Sequence, residues 1–262
     1  MHTPISLTSL SASMLAHLQL ILLLCLPLSA VHAAERELII GTIAVSPFGF
    51  LDSTGKPSGI MYEISNRIAE EAGLPFKNNI TPYARTVLDL EYGNADVIIR
   101  YSNADLTKVA HQVISVLALP SFIIGKNSSS FLRLADLHGK NVGVLRGGNF
   151  DANFAADTAI KKYAVNDYEQ AFKMMMAGHL DAVIGSNIGL YYTAQKLGIA
   201  TSALSPPLVL STQYFVLHVS KKSANEPLLK DLKGAVERLQ KRDAFTPIIN
   251  KYMGYYPWQQ QK

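Results

Sequence analysis

The side chains in this sequence best placed to do chemistry are cations near turns and strand ends. Arg85 follows Tyr83 by two positions, Arg100 closes an apolar run that starts after Asp96, Lys108 lies a little further on, and Arg146 opens the turn Gly147-Gly148. Such groups bind anions, Arg as a planar fork and Lys as a point charge. A glycine turn leading into a helix at Phe150 would add free backbone N–H groups and the positive end of a helix dipole. Taken singly, each of the four cations reads better as a solvated or salt-bridged residue at a strand end. As a set, they lead us to expect that at least one touches an anionic ligand.

Other chemistries find little support. His111, His138, His179 and His218 form no H-x-x-x-H motif, and the single cysteine, Cys25, leaves no C-x-x-C. No metal or cofactor is therefore expected. There is no G-x-S-x-G elbow and no phosphate loop ending in Lys-Ser/Thr. His138 before Gly139 and His179 after Gly178 read as surface residues. Met174–Met176 read as core and near-core helix positions, and Tyr191-Tyr192 as packing.

Composition narrows the class. The chain has 262 residues, 48% hydrophobic and 17% charged, with a formal charge of +4. That excludes a disordered chain, and without a basic run it gives no case for nucleic acid. Residues 1–33 contain no Lys, Arg, Asp or Glu, and Leu18–Leu28 is apolar apart from Gln19. A spanning helix needs ~20 such residues. The run is shorter and ends in Val31-His32-Ala33, which reads as a signal peptide cut before Ala34. Its n-region departs from the usual pattern in lacking Lys and Arg, and an uncleaved anchor is the alternative. Cleavage would leave an exported protein without cysteine, hence without disulfides.

The elements that must position the cations read as two similar α/β halves. In the first, Leu38–Val45 is a strand and Phe48–Ile60 a hairpin with Asp-Ser-Thr-Gly at its tip. A helix from Met61 stops at Gly73, Phe76–Ile80 is a strand, a second helix stops at Gly93, and Val97–Ile99 is a strand. In the second, Asn141–Leu145 is a strand, Phe150–Tyr163 and Tyr168–Ala177 are helices, and Asp181–Ile184 is a strand. Leu228, Leu229, Leu232, Val236 and Leu239 mark a last amphipathic helix. Gly93-x-x-Asp96 and Gly178-x-x-Asp181 each join a helix to an apolar strand, which suggests two lobes of similar build with a ligand cleft between them.

Five segments in order carry a resemblance: SPFGFLDSTGKPSGIMYEISNRIAEEAG, PYARTVLDLEYGNADVII, LADLHGKNVGVLRGG, AFKMMMAGHLDAVIGSNIGLYY and a terminal helix with INKYMG. Together they resemble the family 3 extracellular solute-binding proteins, the periplasmic components of polar amino-acid ABC transporters. The resemblance implies the two-lobed type II periplasmic-binding-protein fold, each lobe a doubly wound α/β sheet, joined by crossovers near Leu119–Ser121 and Ser211–Gln213. Residues 1–33 are then the signal peptide. Residues 34–120 and 213–262 form lobe 1, and residues 121–212 form lobe 2.

Carried over position by position, the resemblance implies that Phe48 and Tyr83 cover the ligand, with Ser102 and Asn103 offering side-chain polar groups. The carboxylate-clamping arginine falls on Lys108, the Gly-Thr pair on Gly147-Gly148, and the ammonium-binding aspartate on Ser186. Three of these depart from the family pattern: Lys108 is no bidentate fork, Gly148 offers only backbone, and Ser186 carries no charge. With Arg85, Arg100 and Arg146 nearby, the expected ligand is a small polar, anionic solute without a free α-amino acid head. The expected partner is an inner-membrane ABC permease, with the protein a monomer. A sensor or accessory role without a permease is the alternative. A cyclohexadienyl dehydratase-like enzyme is a weaker one, because Ile184–Gly189 holds no carboxylate to serve as general acid.

Overall fold

In the computed structural model, which describes residues 36–253, the first apolar run is strand β1 (Leu38–Ile43), followed by a short hairpin of β2 (Phe50–Leu51) and β3 (Pro57–Ser58). Helix α1 (Ile60–Ala72) buries Ile60, Met61, Ile64 and Ile68 on one face and stops at Gly73, whose φ of 72° reverses the chain. Strand β4 (Phe76–Thr81), helix α2 (Thr86–Tyr92) and strand β5 (Val97–Tyr101) complete the first unit. Parallel β1 lies between β4 and β5.

The second unit repeats that arrangement. Helix α3 (Ala104–Val109) and strand β6 (Ala110–Gly125) lead to β7 (Asn141–Leu145), α4 (Ala152–Ala156), β8 (Lys161–Val165), α5 (Tyr168–Met176) and β9 (Ala182–Ser186). Parallel β7 lies between β8 and β9, as β1 lies between β4 and β5. The two Gly-x-x-Asp sites have the same job in both. Asp96 donates its N–H to the Ile39 carbonyl at 2.7 Å and accepts the Ile39 N–H on a carboxylate oxygen at 2.8 Å, and Asp181 does the same with Asn141, both bonds at 2.8 Å.

Helix α6 (Asn187–Lys196), strand β10 (Leu208–Ser220) and helices α7 (Glu226–Lys241) and α8 (Phe245–Met253) complete the described chain. The sheet order β4-β1-β5-β10-β6-β9-β7-β8 shows how the units join. Antiparallel β6 and β10 run through the centre, β10 pairing β5 over Phe215–Val219 and β6 pairing β9 over Ser121–Gly125. Where each strand passes from one unit to the other, Leu119 faces Gln213 and Pro120 faces Thr212. The two expected crossovers are thus cross-strand neighbours.

One expected element is different. Phe150–Tyr163 is not one helix: α4 covers only Ala152–Ala156, and Lys161–Val165 is the edge strand β8. The helix stops at Asp157, whose carboxylate accepts the Ala159 N–H at 2.9 Å. Pairing from Asn141↔Lys161 to Leu145↔Val165 then takes over the chain. Lys161, Lys162 and Tyr163 are exposed there, so the strand shows no alternation a sequence reading could detect. The presumed signal peptide lies outside the described residues.

Candidate functional site

In open α/β sheets ligands meet the carboxyl ends of the strands, where helix and loop backbones converge. Here those ends carry Phe48 beyond β1, Arg100 and Tyr101 on β5, Gly147 beyond β7, and Ser186 on β9. Arg100 is the dominant group. It is 1% exposed, and among the described residues no carboxylate pairs with it. Its Nε donates to the Tyr101 carbonyl at 3.2 Å, and Nη1 to the Tyr83 carbonyl at 2.9 Å and the Thr86 hydroxyl at 2.5 Å. Nη2 donates to the Gly147 carbonyl at 3.0 Å, tying β5 to the turn after β7. The guanidinium lies over the Tyr83 ring, its Cζ 3.8 Å from the centroid. Neutral dipoles thus hold the cation in place without cancelling its charge.

A chain of aromatic rings packs around Tyr101, the residue after this cation. Phe48 meets Phe215 at 4.9 Å, Phe215 meets Tyr101 at 4.4 Å, and Tyr101 meets Phe150 edge-on at 5.7 Å. The first three come from the β1–β5–β10 side and Phe150 from the β7 side. The Tyr101 hydroxyl lies beside Ser186 without a hydrogen bond of ordinary geometry, and the Tyr83 hydroxyl is likewise buried and unbonded. Burial pushes the Tyr101 phenol well above its ordinary value, with Tyr168 and Tyr83 adding to the effect, so it stays protonated. Burial does the same to Tyr168.

Tyr168 adjoins both this cluster and open space. Its hydroxyl accepts the Ser186 N–H at 3.4 Å. Its ring also lines a cavity of about 270 Å³, bounded by Ala44, Ser46, Gly49 and Phe50 on one side and Asp167, Glu169 and Thr193 on the other. The carboxylates there are partly engaged: Asp167 caps α5 through the Gln170 N–H, and Glu169 pairs with Lys196.

The expected site residues divide clearly. Phe48, Tyr83, Arg100 and Ser186 come together in the buried cluster. Arg85, Lys108 and Arg146 do not: Arg85 and Lys108 are 66% and 72% exposed, in ion pairs with Asp89 and Asp105, and Arg146 is exposed. Both ion pairs join residues on one helical turn, which keeps the long side chains on the surface. Asn103 spends its side-chain oxygen capping α3 through the Leu106 N–H, and Ser102 bonds His218 at 2.8 Å.

The anion site expected from the glycine turn also takes another form. Gly148 donates its N–H to the Leu145 carbonyl at 2.7 Å, closing a turn with Gly147 at φ 74°. The helix that follows is short, and its cap, Asp151, brings a negative charge of its own. The turn therefore offers Arg100 an acceptor, the Gly147 carbonyl, where donors were expected.

Sequence reasoning missed Tyr101, Phe215, Tyr168 and Ser121, and only Tyr101 left a signal, as the residue after Arg100 at a strand end. It also left His218 unassigned. That side chain is wholly buried behind Ser102, and burial, then the nearby Arg100 charge, pull its pKa down to about 4.

Comparison with known proteins bears on family and fold. The family model for bacterial extracellular solute-binding proteins, family 3, matches residues 38–255. A curated relative, the L-arginine-binding protein of Pseudomonas aeruginosa, is 23% identical over 238 residues, covering 85% of this chain and 90% of the relative. Among solved structures, an ancestral arginine-binding protein bound to arginine superposes with a TM-score of 0.71 at 22% identity, covering 84% of this chain and all of that one. A histidine kinase sensor domain with similarity to periplasmic binding proteins gives 0.73 at 20% identity, covering 84% and 97%. At these identities the structural likeness establishes the fold, that of the type II periplasmic binding proteins.

Proposed function

Because the chain belongs to family 3 of the bacterial extracellular solute-binding proteins, we propose that it captures a small polar solute with an anionic group and presents it to an inner-membrane ABC permease. The carrying observation is Arg100, a buried cation with no carboxylate partner among the described residues. A ligand acid placed there gains a charge-assisted bond and neutralises a charge that folding has already desolvated. Phe48, Tyr83 and Ser186 are the other expected residues that belong to this site. The protein acts by binding alone, since Ser186 caps α6 through the Gly189 N–H and no carboxylate stands near it in Ile184–Gly189.

We place the lobe limits at 34–120, 121–212 and 213–262, supported by the change of strand partners around Pro120 and Thr212. Closure about these crossovers is a hinge motion, which a ligand touching both lobes favours. The chain reaches the periplasm after cleavage between Ala33 and Ala34, which the intact mass of exported protein tests.

A second reading has one observation behind it. Asp167 and Glu169 border the cavity beside Tyr168, which would suit a ligand with a cationic arm. The relatives named for arginine point the same way. The sensor-domain neighbour keeps the role without a permease in view.

A thermal-shift and calorimetric screen of amino acids, organic acids and phosphonates against wild type and Arg100→Gln decides between the readings. Binding of an acid that is lost in Arg100→Gln supports the anion site. Tight binding of a basic amino acid that survives Arg100→Gln, and is lost in Asp167→Asn, replaces it with the second reading.

A further inference from the structure

We propose that Tyr83 and Tyr101, with Ser121, are specificity-determining donors that select an oxyanion whose neighbouring carbon carries no ammonium group. This rests on the reading of Arg100 as the anion-binding cation and assigns the rest of the same site.

Three buried hydroxyls lack a hydrogen-bond partner among the described residues: Tyr83 Oη, Tyr101 Oη and Ser121 Oγ. Their residues are 6%, 2% and 0% exposed. Buried polar groups are rarely left in that state, because the lost hydration is not repaid. The three belong to one neighbourhood. Ser121 is the cross-strand partner of Ser186, the Tyr101 hydroxyl lies beside Ser186, and the Tyr83 and Tyr101 carbonyls both accept from the Arg100 guanidinium. Arg100 covers the Tyr83 ring and uses four bonds of the five N–H groups a guanidinium carries, which leaves one on Nη2.

The polar balance of this neighbourhood is one-sided. Two phenol hydroxyls, a serine hydroxyl and a guanidinium N–H are all able to donate. The acceptors nearby are already engaged: Gly147 O and Tyr83 O by Arg100, and Ser186 Oγ by the Gly189 N–H. A carboxylate or phosphonate supplies several acceptor lone pairs and a compensating charge. An ammonium group is a pure donor. Beside Arg100 it would meet a like charge, and the buried Asp151 carboxylate next to Phe150 already accepts from the Phe154 N–H and the Ser211 hydroxyl. The site therefore favours the acid lacking the α-amino group over the amino acid of the same skeleton.

Matched pairs that differ only by the α-ammonium test this: propionate against L-alanine, glutarate against L-glutamate, and 5-guanidinopentanoate against L-arginine. Each is titrated calorimetrically into full-length exported protein and into Tyr83→Phe, Tyr101→Phe, Arg100→Gln and Arg100→Lys. Both Tyr→Phe changes remove one oxygen and keep the ring, and melting curves check folding. In at least one pair the acid is expected to bind tenfold or more tighter than its amino acid, and each Tyr→Phe change to weaken it by about tenfold. Equal or tighter binding of the amino acids, or acid binding unchanged in both Tyr→Phe variants but lost in the Arg100 variants, overturns this inference and leaves the anion site standing. Binding that survives both Arg100 variants, or no binding by any probe, overturns the two readings together.

Discussion

Arg100 donates to the Gly147 carbonyl at 3.0 Å, so a side chain from the β1–β4–β5 half closes on the backbone of the β7–β8–β9 half. The same guanidinium binds two carbonyls and a hydroxyl of its own half, which makes it a structural tie as well as the charge of the proposed site.

Arg100→Lys keeps the charge but loses the fork and the stacking on Tyr83. It is expected to cost about 2–4 kcal/mol, since an ammonium cannot serve all four acceptors from one point. Urea unfolding of the two proteins measures it, and an unchanged midpoint would contradict the assigned bonds.

His218 makes stability depend on pH. Its folded pKa is about 4, against an ordinary value of 6.5. Between those values the unfolded chain holds a proton that the folded chain lacks, so stability rises with pH. The contribution is complete above about pH 6.5 and falls away towards pH 4, by roughly 3 kcal/mol in all. His218→Gln is expected to flatten the urea midpoint across this window. A wild-type slope that persists in the variant would assign it to other groups.

The equivalent aspartates differ in burial. Asp96 is 3% exposed at its side chain and also bonds Arg36 at 3.0 Å and Ser223, whereas Asp181 is 38% exposed. Asp96→Ala should cost about 2–4 kcal/mol and Asp181→Ala about 1 kcal/mol. Paired denaturation curves give the ratio, and equal costs would argue against burial as the cause.

Tyr168 sits between two glycines. A Cβ at Gly185 or Gly189 would lie 2.6 or 2.5 Å from its ring. Alanine at either place is expected to cost about 1–3 kcal/mol by overpacking, and to weaken ligand capture by shifting the hydroxyl from the Ser186 N–H. Capture that is unaffected while stability falls would separate Tyr168 from the site.

The fold was largely legible because its signals are local. Apolar runs closed by glycine, and the repeated Gly-x-x-Asp, mark the helices and strands of both halves. Strand β8 was not, because exposed Lys161, Lys162 and Tyr163 become a strand only by pairing with β7.

The candidate site was legible in part. Phe48, Tyr83, Arg100 and Ser186 were expected from strand ends and family position and are buried, while Lys108 and Arg85 are held at the surface by carboxylates on their own helical turns.

By itself, the sequence determined the family and the two α/β halves, since periodicity, glycine stops and motif order are properties of the chain. Which of four cations becomes the buried one was decided only by tertiary structure. Arg100 lies where two half-sheets meet, and the backbone carbonyls of Tyr83, Tyr101 and Gly147 that hold it come from three separate strand ends. A buried charge is set by what surrounds it in space, and those surroundings exist only once the halves have come together.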